Sequence, residues 1–157
     1  MPPRPDASID LNLVVDRAAH KIILTRDLTG SREQVFDAWT KPEQVAVWWD
    51  PSGAPLAECQ IDLRPGGGFK FVNQGASGAP PFAGVYREIA PPVRLVFDAM
   101  GSVGTVLLED AGGRTHLTVT IACASAEHLD QFVQMGVADG TAQTLDNLVA
   151  FIASRRG

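Results

Sequence analysis

The stretch that decides the fold spans residues 125–154 and reads SAEHLDQFVQMGVADGTAQTLDNLVAFIAS. Its apolar residues recur at intervals of three and four, which places them on one face of a helix. Ser125 is a favourable N-cap, and a helix unbroken to about Ser154 would measure about 40 Å at 1.5 Å per residue. The residues of the apolar face are Leu129, Phe132, Val133, Val137, Leu145, Leu148, Phe151 and Ile152.

Two glycines, Gly136 and Gly140, lie on or near this apolar face. Glycine inside a helix costs about 1 kcal/mol relative to alanine, so a compensating role is expected. One interpretation is a kink or a break in the helix. The other is that the missing side chains leave space beside the surface that the helix covers. The sequence favours neither interpretation over the other.

The chain before this helix consists mainly of predicted strands. Residues 57–63 alternate strictly between apolar and polar side chains, which predicts a sheet with one apolar face. Ser31 opens a short helix with a capping box, and residues 40–43 (TKPE) carry the signals of a second capping box and a second short helix that ends near Trp48. The predicted strands are 20–28, 57–63, 69–71, 82–89, 93–99, 103–109 and 114–123.

These elements predict an α+β domain of the helix-grip type. A curved antiparallel sheet of about six to seven strands wraps around the long C-terminal helix, and two short helices follow the first strand. A sheet with one apolar face needs a cover, and only the last helix is long enough to provide it. A curled sheet around one helix leaves a hollow where small residues line it. We expect residues 1–12 to form a flexible arm and residues 13–157 to form a single domain.

Composition narrows the classes of function. The 157 residues carry a net charge of −5, which argues against a nucleic-acid partner. No apolar run approaches the roughly 18 residues that a membrane span needs, and no signal peptide is visible, so no membrane partner is expected and a cytoplasmic location is the default. Cys59 and Cys123 form no CxxC or zinc-binding pattern and are interpreted as buried, reduced thiols.

The chain carries no recognisable metal, nucleophile or phosphate motif. His20, His116 and His128 are far apart in the sequence, and neither an HExxH nor a GxSxG motif occurs. The glycines at 66–68 join two strands, which predicts a tight turn because a phosphate loop leads into a helix N-terminus. We therefore predict no catalytic residue, no metal site and no cofactor.

Three carboxylates are the remaining candidates for acid/base chemistry. Asp62, Asp98 and Glu109 fall by alternation on the polar face of the sheet, near arginines, so surface ion pairs are expected. A carboxylate that pointed inward would have a raised pKa and would be a candidate general acid or base. A cavity enzyme of the cyclase or isomerase type is thus kept as an alternative.

Aromatic residues recur on the inner face that the alternation defines. Each is ordinary core material, but together with Tyr86 as a polar group they match a pocket with apolar walls and few orienting groups. We expect Trp48 to point inward and Trp49 to pack near the entrance. The sequence thus predicts a cavity that binds a hydrophobic or amphipathic small molecule. The predicted ligand-binding residues are Trp48, Phe69, Phe71, Phe82, Tyr86, Phe97, Phe132, Met135, Gly136 and Thr141.

Five strings in one order give the chain a family resemblance. The ordered set resembles the SRPBCC, or START-like, helix-grip superfamily, and within it the branch named for the C-terminal domain of the activator of the Hsp90 ATPase. The resemblance implies the helix-grip fold and a ligand-binding or chaperone-associated role, sometimes linked to stress responses. The family usually has a tryptophan where this chain has Thr141, which implies a larger or more polar cavity. The strings are FDAWTKPEQVAVWWDP (36–51), DLRPGGGFKF (62–71), GVYREIAPPVRLVF (84–97), LLEDAGGRTHLTVTI (107–121) and DGTAQTLDNLVAFI (139–152).

The resemblance also leaves a protein-interaction role open. An Hsp90 co-chaperone-like module would need a large exposed apolar patch rather than an enclosed pocket, and a chaperone partner rests on the resemblance alone. A homodimer would cover the edge strands of such a sheet.

Overall fold

A computed structural model describes residues 13–74 and 82–154. The described residues form eight strands: β1 Leu13–Asp16, β2 Lys21–Leu28, β3 Glu58–Ile61, β4 Gly68–Val72, β5 Phe82–Ala90, β6 Arg94–Ala99, β7 Ser102–Asp110 and β8 Thr115–Ala122. They also form four helices: α1 Arg32–Thr40, α2 Pro42–Trp48, α3 Ala126–Gln134 and α4 Val137–Ser154. The predicted arm, residues 1–12, lies outside the described residues.

The strands form one antiparallel sheet in the order β1-β2-β8-β7-β6-β5-β4-β3. The predicted fold class is confirmed, with one strand more than expected. The additional strand, β1, is a four-residue edge that pairs with β2 through a turn in which His20 has a φ of +59°. β2 reaches across the sequence to pair with β8, from Lys21 opposite Ala122 to Leu28 opposite Thr115.

The two short helices differ in how their N-termini are capped. The Ser31 hydroxyl accepts from the backbone N–H of Gln34, and the Gln34 side chain accepts from the N–H of Ser31, so the predicted capping box is confirmed. The second predicted capping box is wrong. Thr40 donates its hydroxyl to the carbonyl of Phe36 inside α1, and the N-cap of α2 is Lys41, which makes no side-chain capping bond.

The C-terminal segment is two helices rather than one, because the chain turns at Gly136. Gly136 has a φ of +80°, a left-handed conformation that glycine adopts without the steric cost of a Cβ, and it terminates α3. Gly140, by contrast, lies within α4, and a Cβ built on it would meet no atom within 4 Å. The two interpretations left open by the sequence therefore apply to one glycine each: Gly136 breaks the helix and Gly140 leaves space.

A charged group fastens α4 to the sheet. The Arg26 side chain on β2 is only 10% exposed, and its Nε lies 3.0 Å from a carboxylate oxygen of Asp146 on α4. The same guanidinium donates to the carbonyls of Thr25 and Ala142. Because a nearly buried guanidinium needs its donors satisfied, these bonds set where α4 crosses the sheet. Leu145 and Leu148 then pack into the core with no exposed surface.

Candidate functional site

A cavity of about 250 Å³ lies between the sheet and the two C-terminal helices. Strands β6, β7 and β8 form its floor, and residues of α3 and α4 form its roof. Trp39 of α1 and Trp49, which follows α2, close one end together with Phe82 of β5. For scale, an apolar cavity of about 150 Å³ accommodates benzene, so this cavity has room for a ligand of about two fused rings.

The space exists because small residues face inward along β7. Its buried residues run Ser102, Gly104, Val106 and Leu108, so the inward side chains are small in the first half of the strand and larger in the second. The hollow lies at the end with the small residues, and Gly140 faces it from α4. A curled sheet over a straight helix leaves a gap wherever neither surface supplies side chains to fill it.

Gly104 also sets the position of an aromatic wall. It pairs with Phe97 on the neighbouring strand, and a Cβ at residue 104 would lie 2.5 Å from Cζ of the Phe97 ring. The ring therefore lies across the glycine backbone, where any other residue would displace it. The same arrangement recurs where Phe69 lies over its cross-strand partner Gly84.

Two hydroxyl groups in the wall of the cavity already donate their protons to backbone carbonyls. Ser102 donates to the Ala99 carbonyl at 2.7 Å, and Thr144 donates to the Trp49 carbonyl at 3.0 Å. Each hydroxyl has one proton, so these two oxygens remain as acceptors. Among the described residues no charged side chain lines the cavity.

One rim of the cavity is the loop after α2. Asn147 of α4 donates to the Asp50 carbonyl at 2.9 Å, which holds the loop against the helix. Burial acts to raise the pKa of the Asp50 carboxyl, but hydrogen bonds from the Asn73 side chain and from the backbone and hydroxyl of Ser52 outweigh it and hold that pKa below its ordinary value. A negative charge is thus fixed in the loop between two lining residues, Trp49 and Pro51.

The opposite rim is held by a histidine. His128 Nδ1 accepts from the backbone N–H of Ala124 at 3.0 Å, which leaves the proton on Nε2. Nε2 lies 3.2 Å from the carbonyl of Met100, in the turn between β6 and β7, and donates to it. The ring also packs edge-on against Phe132, with centroids 4.5 Å apart. His128 is therefore a structural link between α3 and the sheet.

A second, much smaller cavity of about 20 Å³ lies under β4 and β5. Phe69, Phe71 and Tyr86 fill most of this region, and the space left is about that of one water molecule. Burial, and secondarily the neighbouring Cys59, raises the pKa of the Tyr86 hydroxyl, so the phenol is neutral. The two cavities share four wall residues: Trp39, Trp49, Phe82 and Phe97.

The ten residues predicted to bind a ligand fall into three groups. Four line the large cavity: Phe82, Phe97, Phe132 and Thr141. Three line only the small one: Phe69, Phe71 and Tyr86. Three line neither: Trp48, Met135 and Gly136. Whether those that line a cavity bind a ligand stays a prediction.

The three residues outside the cavities correct the sequence interpretation. Trp48 is 1% exposed and donates its indole N–H to the Ala38 carbonyl at 3.0 Å, so it belongs to the core under α1. Trp49 takes the place that was expected of Trp48 in the cavity wall. Met135 is 63% exposed, because the break at Gly136 turns it away from the sheet.

Several wall residues were missed by the sequence interpretation, because it looked for large side chains. Small residues at inward positions mark the hollow more directly. The missed residues are Trp39, Trp49, Pro51, Asn73, Ala99, Met100, Ser102, Gly104, Val119, Ile121, Val137, Gly140, Thr144 and Leu145. Alternation along β7 would have found Ser102 and Gly104.

The carboxylates considered for catalysis lie on the surface. Asp98 pairs with Arg87 at 2.7 Å and Asp62 with Arg64 at 2.9 Å, which confirms the expected surface pairs, and Glu109 is exposed. Within residues 13–74 and 82–154 there is no cluster of three or more potential metal ligands. No helix in this part of the chain is long and apolar enough to cross a membrane.

The sheet order, the helices that the sheet grips and the hollow between them define a helix-grip domain. Residues 29–153 match the profile of the family described as Activator of Hsp90 ATPase homolog 1-like protein. The chain belongs to this family, as the ordered strings indicated.

Solved structures show the same fold. A protein from Arthrobacter aurescens superimposes with a TM-score of 0.82 at 21% identity, covering 92% of each chain. A protein from Rhodobacter sphaeroides gives 0.78 at 24% identity, covering 87% of this chain and 93% of the other. One from Chromobacterium violaceum gives 0.69 at 26% identity, covering 84% and 96%. A comparison with curated proteins found no match.

Proposed function

We propose that this protein binds a hydrophobic or amphipathic small molecule in the cavity between β6–β8 and the helices α3 and α4. The observation that carries the proposal is the cavity itself. A void of about 250 Å³ with aromatic and aliphatic walls loses dispersion contacts that a packed interior would have. A ligand of matching size restores them, and ligand sites have this composition of apolar walls with a few polar groups.

The open space at Gly140 supports the same proposal. Residue 140 lies on the roof, where any side chain would project into the hollow. Alanine in place of this glycine would strengthen α4 by about 1 kcal/mol. A binding cavity accounts for a residue that weakens the helix and leaves the interior unfilled.

A substitution at Gly140 tests the proposal. Gly140→Leu fills the cavity from the roof and should raise the thermal midpoint while weakening the binding of 2-methylnaphthalene, an uncharged fluorescent probe of two fused rings, at least tenfold. Ala150→Leu is the matched control, because it adds the same side chain on an exposed position of the same helix. Native mass spectrometry of freshly purified protein should show a retained small molecule in the wild type that Gly140→Leu lacks. Equal probe affinity in the wild type and Gly140→Leu would place binding elsewhere and contradict the proposal.

A second candidate function is an interaction with a chaperone of the Hsp90 class, which the description of the family favours. The large exposed apolar side chains include Val47, Met100 and Met135. The test is stimulation of the ATPase activity of purified Hsp90. No stimulation and no co-sedimentation at micromolar concentrations would remove this candidate.

A further inference from the structure

One buried donor at the cavities has no acceptor. Trp39 is 7% exposed and lines both the large and the small cavity. Among the described residues its indole nitrogen finds no hydrogen-bond partner, the one buried side-chain donor or acceptor of which this holds. The adjacent Trp48 shows the usual arrangement, with its N–H bonded to the Ala38 carbonyl. A buried N–H without a partner is costly, so an acceptor supplied from outside the protein would be favoured.

The charges around the two cavities indicate which kind of ligand can supply that acceptor. Within the described residues, no cationic side chain lines either cavity to neutralise an anionic ligand. The carboxylate of Asp50 lies in the loop between the lining residues Trp49 and Pro51 and would repel one. Moving a carboxylate from water into such a site is unfavourable because no cationic side chain in its walls compensates for the lost hydration of the charge.

From these two observations we propose that the cavity prefers uncharged, ring-containing molecules with a carbonyl or ether oxygen that accepts from the Trp39 indole N–H, over ligands of the same shape that carry a carboxylate. This inference rests on the proposed function and adds the class of ligand to it. Aromatic walls from Trp49, Phe82 and Phe97 suit a flat ring. The acceptor then lies at the end of the ligand nearest the small cavity, since Trp39 borders both spaces.

Three probes of similar shape separate the contribution of the acceptor oxygen from that of ligand charge. The ketone 2-acetylnaphthalene has the acceptor, the hydrocarbon 2-ethylnaphthalene lacks it, and 2-naphthoate is an anion at pH 7.5. The wild type should bind the ketone about three to ten times more tightly than the hydrocarbon, and the carboxylate at least ten times more weakly than the ketone. In Trp39→Phe the preference for ketone over hydrocarbon should fall to about one. Trp48→Phe is the matched control; it removes an indole N–H outside the cavities and should keep the preference.

A second measurement follows ligand binding in the wild-type protein alone. The three tryptophans give three indole N–H signals in nitrogen-15 NMR, and the Trp39 signal should move downfield with the ketone and not with the hydrocarbon. Equal affinities of ketone and hydrocarbon for the wild type, a preference that survives Trp39→Phe, or a Trp39 signal that ignores the ketone would each overturn the role of Trp39. Tight binding of 2-naphthoate would overturn the preference over carboxylates. In those cases binding persists and the proposed function stands, whereas failure of all three probes and of 2-methylnaphthalene to bind would remove both.

Discussion

Each half of the interior contains a phenylalanine ring that lies over a cross-strand glycine, but one half is packed and the other is hollow. In the packed half, under β4 and β5, Phe69 lies over Gly84 and leaves only about 20 Å³. In the hollow half, over β6–β8, Phe97 lies over Gly104 and about 250 Å³ stays open. The difference is in the neighbours: aromatic rings surround Phe69, whereas Phe97 shares the wall of its cavity with the small residues Ser102 and Gly140. Aromatic residues therefore make both halves apolar, and small residues decide which half is hollow.

Matched alanine substitutions at the two glycines should give the largest difference. In Gly84→Ala the new Cβ would lie 2.1 Å from the Asp98 carbonyl and 2.6 Å from the Phe69 ring, and neither can move into free space. We expect a loss of about 3 kcal/mol in the free energy of unfolding. In Gly104→Ala the Phe97 ring can swing into the cavity, so the loss should be about 1 kcal/mol, with weaker probe binding.

Urea denaturation followed by circular dichroism measures both losses. If Gly104→Ala costs as much as Gly84→Ala, the ring has no space to move into, and the distinction between the halves fails.

The break between α3 and α4 offers a smaller effect. Gly136→Ala places a Cβ on a residue with a φ of +80°, where no steric contact is lost or gained but the backbone is strained. The free energy of unfolding should fall by about 1 to 2 kcal/mol. Gly136→Asn is the control, because asparagine tolerates this conformation better than alanine, and should cost less. Equal losses in the two variants would mean that the turn has another cause.

The smallest expected effect is a pH-dependent change in the free energy of unfolding, caused by Asp50 on the rim of the hollow half. The folded-state pKa of Asp50 lies below its ordinary value of 3.8. Its ionised form therefore stabilises the fold above about that pH, and this stabilisation is lost as the pH falls below 3.8 through the folded pKa. Asp50→Asn should be slightly less stable at pH 7, and its stability should change less than that of the wild type between pH 5 and pH 2.5. A wild-type and variant pair with parallel pH profiles would contradict the assignment.

The sequence predicted the fold well because the fold depends on repeating patterns. The strict alternation in 57–63 and the apolar face of 125–154 can both be recognised even when a single residue is misinterpreted. Strand β1 was missed because four edge residues, LVVD, are too few to establish a period. The second capping box failed for a local reason: the Thr40 hydroxyl had a closer acceptor within its own helix, the Phe36 carbonyl.

The site was less predictable because cavities depend on how elements meet. Trp48 and Trp49 are adjacent and chemically identical, and which one faces the hollow depends on how α2 ends against α4. The contact from Thr144 to the Trp49 carbonyl joins residues 95 positions apart. Periodicity carries no information at that separation. The size gradient along β7 was visible in the sequence and would have located the hollow more reliably than the aromatic residues did.

That gradient divides one strand into a part that supports the fold and a part that shapes the pocket. Val106 and Leu108 are buried in the core, whereas Ser102 and Gly104, four and two positions before Val106, border empty volume. Specificity and robustness can accordingly evolve on separate residues of the same strand. Substitutions at positions 102, 140 and 141 would therefore change the shape of the cavity while the packed core of the sheet keeps its residues.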